Sequence, residues 1–106
     1  MLSFTHEVFG HNKPQLTGHF FQRYAERVFN VPETSSEIWA RVNHNRIRIV
    51  KDFYDRLKKA VRIKNENILK HYHDKYGKDV QFLKHNKYIF VVRDYKVIVT
   101  IFREEK

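Results

Sequence analysis

The spacing of apolar residues changes once along this chain, at Gly77, and that change restricts the fold to helices followed by strands. Ahead of Gly77, apolar side chains recur three and four residues apart. Phe20, Phe21, Tyr24, Ala25 and Val28 form one stripe. Trp39, Val42, Ile49, Val50, Phe53, Tyr54, Leu57 and Val61 form a second, and Ile68, Leu69, Tyr72 and Tyr76 a third. This is the period of an amphipathic helix. After Gly77 come β-branched and aromatic runs, Val80–Leu83, Tyr88–Arg93 and Val97–Phe102, separated only by His85-Asn86-Lys87 and Asp94-Tyr95-Lys96. Connections this short make antiparallel hairpins. The expected fold class is α+β, with N-terminal helices packed on a C-terminal antiparallel β-meander.

Punctuation residues place the boundaries. Pro14 and Gly18 bracket the approach to a first helix over about residues 17–29, and Pro32 closes it after Asn30. Thr34-Ser35-Ser36-Glu37 matches a capping box, so a second helix is expected to start there. The polar stretch Asn43-His44-Asn45-Arg46 is either a break or an exposed turn, which leaves residues 36–76 as one helix, two or three. A strand at 61–69 is the less favoured alternative. The chain, 106 residues in all, reads as a single domain: an N-terminal arm at 1–16, a helical part at 17–76 and a sheet at 79–103.

Charge bears on the partner. There are 21 Lys and Arg against 12 Asp and Glu, a formal net charge of +9, which attracts polyanions and speeds encounter with them. Nucleic acid is the first partner to consider, and an anionic membrane surface the second. Residues 31–76 hold eleven of the basic groups and six of the acidic ones. The candidate nucleic-acid-binding residues are therefore Arg46, Arg48, Lys51, Arg56, Lys58, Lys59 and Arg62, with Arg93 and Arg103 at strand ends. Some of this charge serves the helix itself, because Arg48, Lys51, Asp52, Asp55, Arg56 and Lys59 include opposite charges three and four apart. Tyr54, Tyr72, Tyr76, Tyr88 and Tyr95 offer rings for unpaired bases, at least two of them being needed by the core. Cysteine is absent, which excludes disulfides and thiolate metal sites. No apolar run has the length of a membrane span and the N-terminus has no signal-peptide pattern, so a soluble, cytoplasmic protein with no membrane partner is expected.

Two places suggest chemistry. In the helix expected over His19–Arg27, His19, Arg23 and Arg27 lie four apart in one row, about 6 Å between neighbouring Cβ atoms. A proton-transfer group beside two permanent cations suits a phosphate, although the same row also suits a solvated helix face. Thr100 is the only hydroxyl in an otherwise apolar strand, and alternation puts it on a face with Ile98 and Phe102. A structural role for it competes evenly with a catalytic one. His71-Tyr72-His73 does not chelate a metal on a helix, since residues two apart diverge by about 200°. No metal and no cofactor is expected. His44 and His85 read as exposed turn residues, and the absence of a Walker loop, dinucleotide fingerprint or nucleophile elbow disfavours nucleotide hydrolysis and α/β-hydrolase chemistry.

An early helix reading His-x-x-x-Arg-Tyr-x-x-Arg, more helix, then Tyr-Ile-Phe-Val-Val and Val-Ile-Val-Thr-Ile-Phe, resembles the small metal-independent ribonucleases of the barnase, EndoU, colicin and RelE type, across most of residues 16–103. The resemblance implies His19 as general acid or base, Arg23 or Arg27 as phosphate clamp and Thr100 as a strand hydroxyl lining the site. It implies cleavage of RNA by transesterification through the ribose 2′-OH, in a toxin-like or phage-encoded protein held by an acidic antitoxin or inhibitor. A second proton-transfer group is needed, for which His6, His11, Tyr24, Glu26 and Tyr88 are the candidates. A nonenzymatic nucleic-acid-binding protein and a phage or host protein-interaction module are the competing readings.

Overall fold

The computed structural model describes residues 8–10 and 13–104. Its elements run β1 (Gln15–Leu16), α1 (Gly18–Arg27), α2 (Glu33–Arg41), α3 (Asn43–Leu57), β2 (Val61–Arg62), α4 (Glu66–Tyr76), β3 (Val80–His85), β4 (Tyr88–Arg93) and β5 (Val97–Arg103). The strands form one mixed sheet ordered β1-β5-β4-β3-β2, in which β3, β4 and β5 are the expected antiparallel meander. Two short strands extend it. β1 lies parallel to β5, inside the segment expected to be an arm, and β2 lies antiparallel to β3.

Each helix boundary has a local cause. α1 starts at Thr17, whose Oγ accepts from the Phe20 N–H at 3.0 Å, and Asn30 ends the segment in the left-handed region at φ 58°. The capping box at Thr34 does not form. α2 begins two residues earlier, with Pro32 at its N-cap and no side-chain cap, and Ser36 turns inward so that its hydroxyl donates to Glu26. The polar stretch at residues 43–46 proves to be both a break and a cap. Val42 is extended, and Asn45 Nδ2 and Arg46 Nε donate to the Trp39 and Ala40 carbonyls at 2.9 and 2.8 Å, satisfying the end of α2. The chain leaves helix after Leu57, takes up only Val61–Arg62 of the strand alternative at 61–69, and re-enters helix at Glu66 behind the N-cap Asn65, whose Oδ1 accepts from the N–H groups of Asn67 and Ile68. Gly77, at φ 108°, ends α4.

The sheet separates two apolar clusters. On one face α1, α2 and α3 bring Phe20, Tyr24, Ala40, Ile49, Phe53 and Leu57 against Leu83, Phe90, Val92, Ile98 and Ile101. Phe53 is the centre of this layer, with ring centroids 5.2 Å from Phe20 and 5.4 Å from Phe90. On the other face, Leu69, Tyr72 and Tyr76 of α4 lie against Val80, Phe82, Ile89 and Val91, with Val99 and Phe102. Burial on both sides explains why β4 reads as a continuous apolar run.

A bulge in β5 reverses one expectation. Val91 pairs with Thr100 but Val92 pairs with Ile98, so Val99 is an extra residue and strict alternation fails there. Ile98 and Ile101 face the three-helix layer. Thr100, opposite Val91, shares the α4 face with Phe102 and not with Ile98.

Candidate nucleic-acid interface

The His19 row forms as expected along α1, with each member differently engaged. Arg23 Nε lies 3.4 Å from the exposed His19 Nε2, and Arg23 Nη1 is 2.7 Å from Glu26 Oε1. Partial burial, then the charges of Arg23 and Arg27, hold the imidazole below its ordinary pKa and favour its neutral form. Arg27 Nη1 donates to the carbonyl of Ile101, and Thr17 Oγ donates to the carbonyl of Val99 at 3.3 Å. α1 therefore lies along β5 beyond Leu16, where the two-residue β1 stops, and its polar groups take up carbonyls that a longer neighbouring strand would have paired.

Thr100 lies in the stretch of β5 that this row flanks, but on the α4 face. Among the described residues no hydrogen bond joins its hydroxyl to His19, Arg23 or Arg27. The candidates for a second proton-transfer group are mostly engaged elsewhere. Tyr24 is buried and donates to Asp52 Oδ2, and burial first, then this hydrogen bond, push its pKa far up. Glu26 accepts from Ser36 and Arg23, and together these outweigh the burial that would raise its pKa, leaving it lowered. Tyr88 is buried at the sheet end, and His6 and His11 lie outside the described residues.

Cations gather beside half-buried rings on the α4 side. A groove of about 710 Å³ runs between α4 and the end of β5. Its floor is Tyr72, Tyr76 and Phe102. Tyr76 and Phe102 stack with centroids 5.1 Å apart and planes 15° apart, and Tyr72 meets Phe102 edge-on at 5.1 Å. Around this floor stand Arg27, His71, Lys75, Lys87 and Arg103. Lys75 Nζ is 5.6 Å from the Tyr76 centroid, and Lys87 and Arg103 are each 5.8 Å from that of Tyr88. Among the described residues, none of these three cations is paired with a carboxylate. Glu104, the one acidic side chain lining the groove among the described residues, is neutralised by Lys84 at 2.5 Å. The arrangement places partly accessible rings beside cations that have no carboxylate partner among the described residues.

The basic residues expected to form the interface are distributed over the molecule. Arg46 caps α2 and covers the Phe21 ring at 4.8 Å, and Arg48 lies 5.5 Å from Phe29. Arg56 is bonded to Asp52 at 2.9 Å and rests 4.9 Å from the Tyr88 centroid. Arg62 donates to the Tyr95 hydroxyl at 3.0 Å, and Arg93 lies at the end of β5's pairing opposite to Arg103. Lys51, Lys58 and Lys59 are exposed on and just beyond α3. Of the nine, Arg103 alone lines the groove. Lys75, Lys87 and His71 are the members that sequence reasoning missed; Tyr72 and Tyr76 were among its aromatic candidates, and the pairing of those tyrosines with Lys75 along α4 was the available signal.

The other histidines take local roles. His73 Nε2 is 3.1 Å from the Val80 carbonyl and its ring lies against Phe82. His44 is exposed in the first turn of α3, whereas His85 is the half-buried last residue of β3 and not an exposed turn residue. Among the described residues no three metal-ligating side chains converge, and no helix is long and apolar enough to cross a membrane. No protein-family model matches the chain, and no curated protein or solved structure is significantly similar to it.

Proposed function

We propose that this protein binds single-stranded nucleic acid, with the groove between α4 and β5 as its interface. The observation that carries the reading is the set of three cations, Lys75, Lys87 and Arg103, with no carboxylate partner among the described residues, around the Tyr72–Tyr76–Phe102 floor. Base stacking on an aromatic side chain contributes about 1–3 kcal/mol per base and is tolerant of sequence, while the cations meet the backbone. Binding is therefore sensitive to salt and weakly dependent on sequence. The test is fluorescence anisotropy of a labelled single strand in EDTA at low salt. The parent binds, and Lys75→Glu with Lys87→Glu weakens binding by at least about tenfold while the fold persists. Equal affinity in parent and variant contradicts the reading.

Metal-independent RNA cleavage is a second reading, favoured by one observation: His19 is held toward its neutral, proton-accepting form in a row whose last member, Arg27, reaches the groove. His19 then takes the proton from a ribose 2′-OH while Arg23 and Arg27 stabilise the charge developing on phosphorus. Incubating labelled RNA with the parent and with His19→Ala in EDTA separates the readings. Cleavage by the parent that is lost in the variant supports catalysis, and an intact strand that stays bound supports binding alone.

A further inference from the structure

Resting on the groove reading, we infer that the nucleic acid this protein takes is a strand joined to a duplex, its unpaired bases in the groove and its duplex against α3. The two surfaces differ in chemistry. The groove gathers three half-buried rings, Tyr72, Tyr76 and Phe102, beside its cations, whereas the α3 side presents the exposed Lys51, Lys58 and Lys59, with the half-buried Tyr54 packed against the buried Phe53 at a 5.2 Å centroid distance. A mainly cationic surface with no such cluster of rings gains less from unpaired bases, and it meets most charge on a duplex, which carries one phosphate per about 1.7 Å of axis against about 3.4 Å for one strand. α3, at about 1.5 Å per residue, extends over roughly 22 Å, enough to follow a duplex backbone.

One ring joins the two surfaces. Arg56 of α3 lies 4.9 Å from the Tyr88 centroid, and the groove residues Lys87 and Arg103 lie 5.8 Å from the same centroid. Tyr88 begins β4 beside the turn after His85, and His85 feels the charges of Arg56 and Lys59 and, in the opposite sense, that of Asp52. Positive charge thus continues from the groove, around the end of the β3–β4 hairpin, onto α3. A backbone leaving the groove at Arg103 passes Lys87 and then Arg56, whose charge is shared with Asp52, before it reaches Lys59. The surface fits a hairpin loop with its stem, or a single-stranded tail beside a duplex.

The experiment compares three labelled RNAs by anisotropy in EDTA: a hairpin, its loop sequence as a linear strand, and its stem as a blunt duplex. The hairpin is expected to bind at least about tenfold tighter than the linear strand. Lys51→Glu with Lys59→Glu brings the hairpin down to the affinity of the linear strand and leaves the linear strand within about twofold of its parent value. Lys13→Glu with Lys96→Glu, an equal change of charge away from α3, preserves the hairpin's advantage. Equal binding of hairpin and linear strand, or equal weakening of both by the α3 variant, overturns the inference and leaves the groove reading standing. Failure of all three RNAs to bind overturns both.

Discussion

Arg27 donates from Nη1 to the carbonyl of Ile101, tying the last turn of α1 to the part of β5 that β1 does not cover. An open strand edge is a template for another chain, and a charged side chain is one of the devices that block it. A charge-assisted hydrogen bond contributes about 1.5–3 kcal/mol. Arg27→Ala is therefore expected to lower stability by about that amount in a denaturant titration and to increase self-association in analytical ultracentrifugation. A variant as stable and as monomeric as its parent refutes this role.

Tyr24 donates to Asp52, which also holds Arg56 at 2.9 Å, in a network between α1 and α3. Because burial and the Asp52 hydrogen bond raise the Tyr24 pKa, the folded state favours the protonated phenol. Its contribution is complete below the unfolded value of about 10 and is lost as pH rises through the folded one. Stability should fall above about pH 10, and Tyr24→Phe should show a shallower fall over the same range. Parallel pH profiles for the two proteins would rule the linkage out.

His85 behaves in the opposite sense. Burial first, then Arg56 and Lys59, lower its pKa, and its buried Nδ1 has no hydrogen-bond partner among the described residues. The folded state favours neutral imidazole, so this stability is present above the unfolded pKa of about 6.5 and is lost as pH falls toward the folded value. His19, also lowered, adds to the same trend. Thermal unfolding between about pH 7 and pH 5 should show a falling midpoint, shallower in His85→Gln; an identical slope in the variant excludes His85 as a cause.

Phe53 contacts rings from α1 and β4 and is fully buried. Truncation of such a residue costs about 3–5 kcal/mol, a large part of a small domain's stability. Phe53→Ala should unfold at far lower denaturant than the parent, whereas Thr100→Val, which loses no described hydrogen bond, should shift the midpoint little. Calorimetry of the two variants checks both.

The order of helices and then strands was readable because each element is amphipathic or doubly buried over several residues, as α1 and β4 are. β1 and β2 were not, since two residues carry no period, and Gln15–Leu16 becomes a strand only because β5 is there to pair with it. The Val99 bulge was equally hidden: Val97–Phe102 has the same composition with or without an extra residue, and the insertion moved Thr100 to the α4 face. The His19 row was visible because four-residue spacing is local. The groove was not, because Lys75, Lys87 and Arg103 come from a helix, a turn and a strand that only the sheet brings together.

Salt dependence tests the central claim most directly. Each cation meeting a phosphate of a single strand contributes about 0.7 to the slope of log affinity against log salt. If the groove holds the strand, Lys75→Ala with Lys87→Ala lowers that slope by about 1.4 relative to the parent. An unchanged slope, with binding retained, would place the strand elsewhere on the molecule and contradict the account.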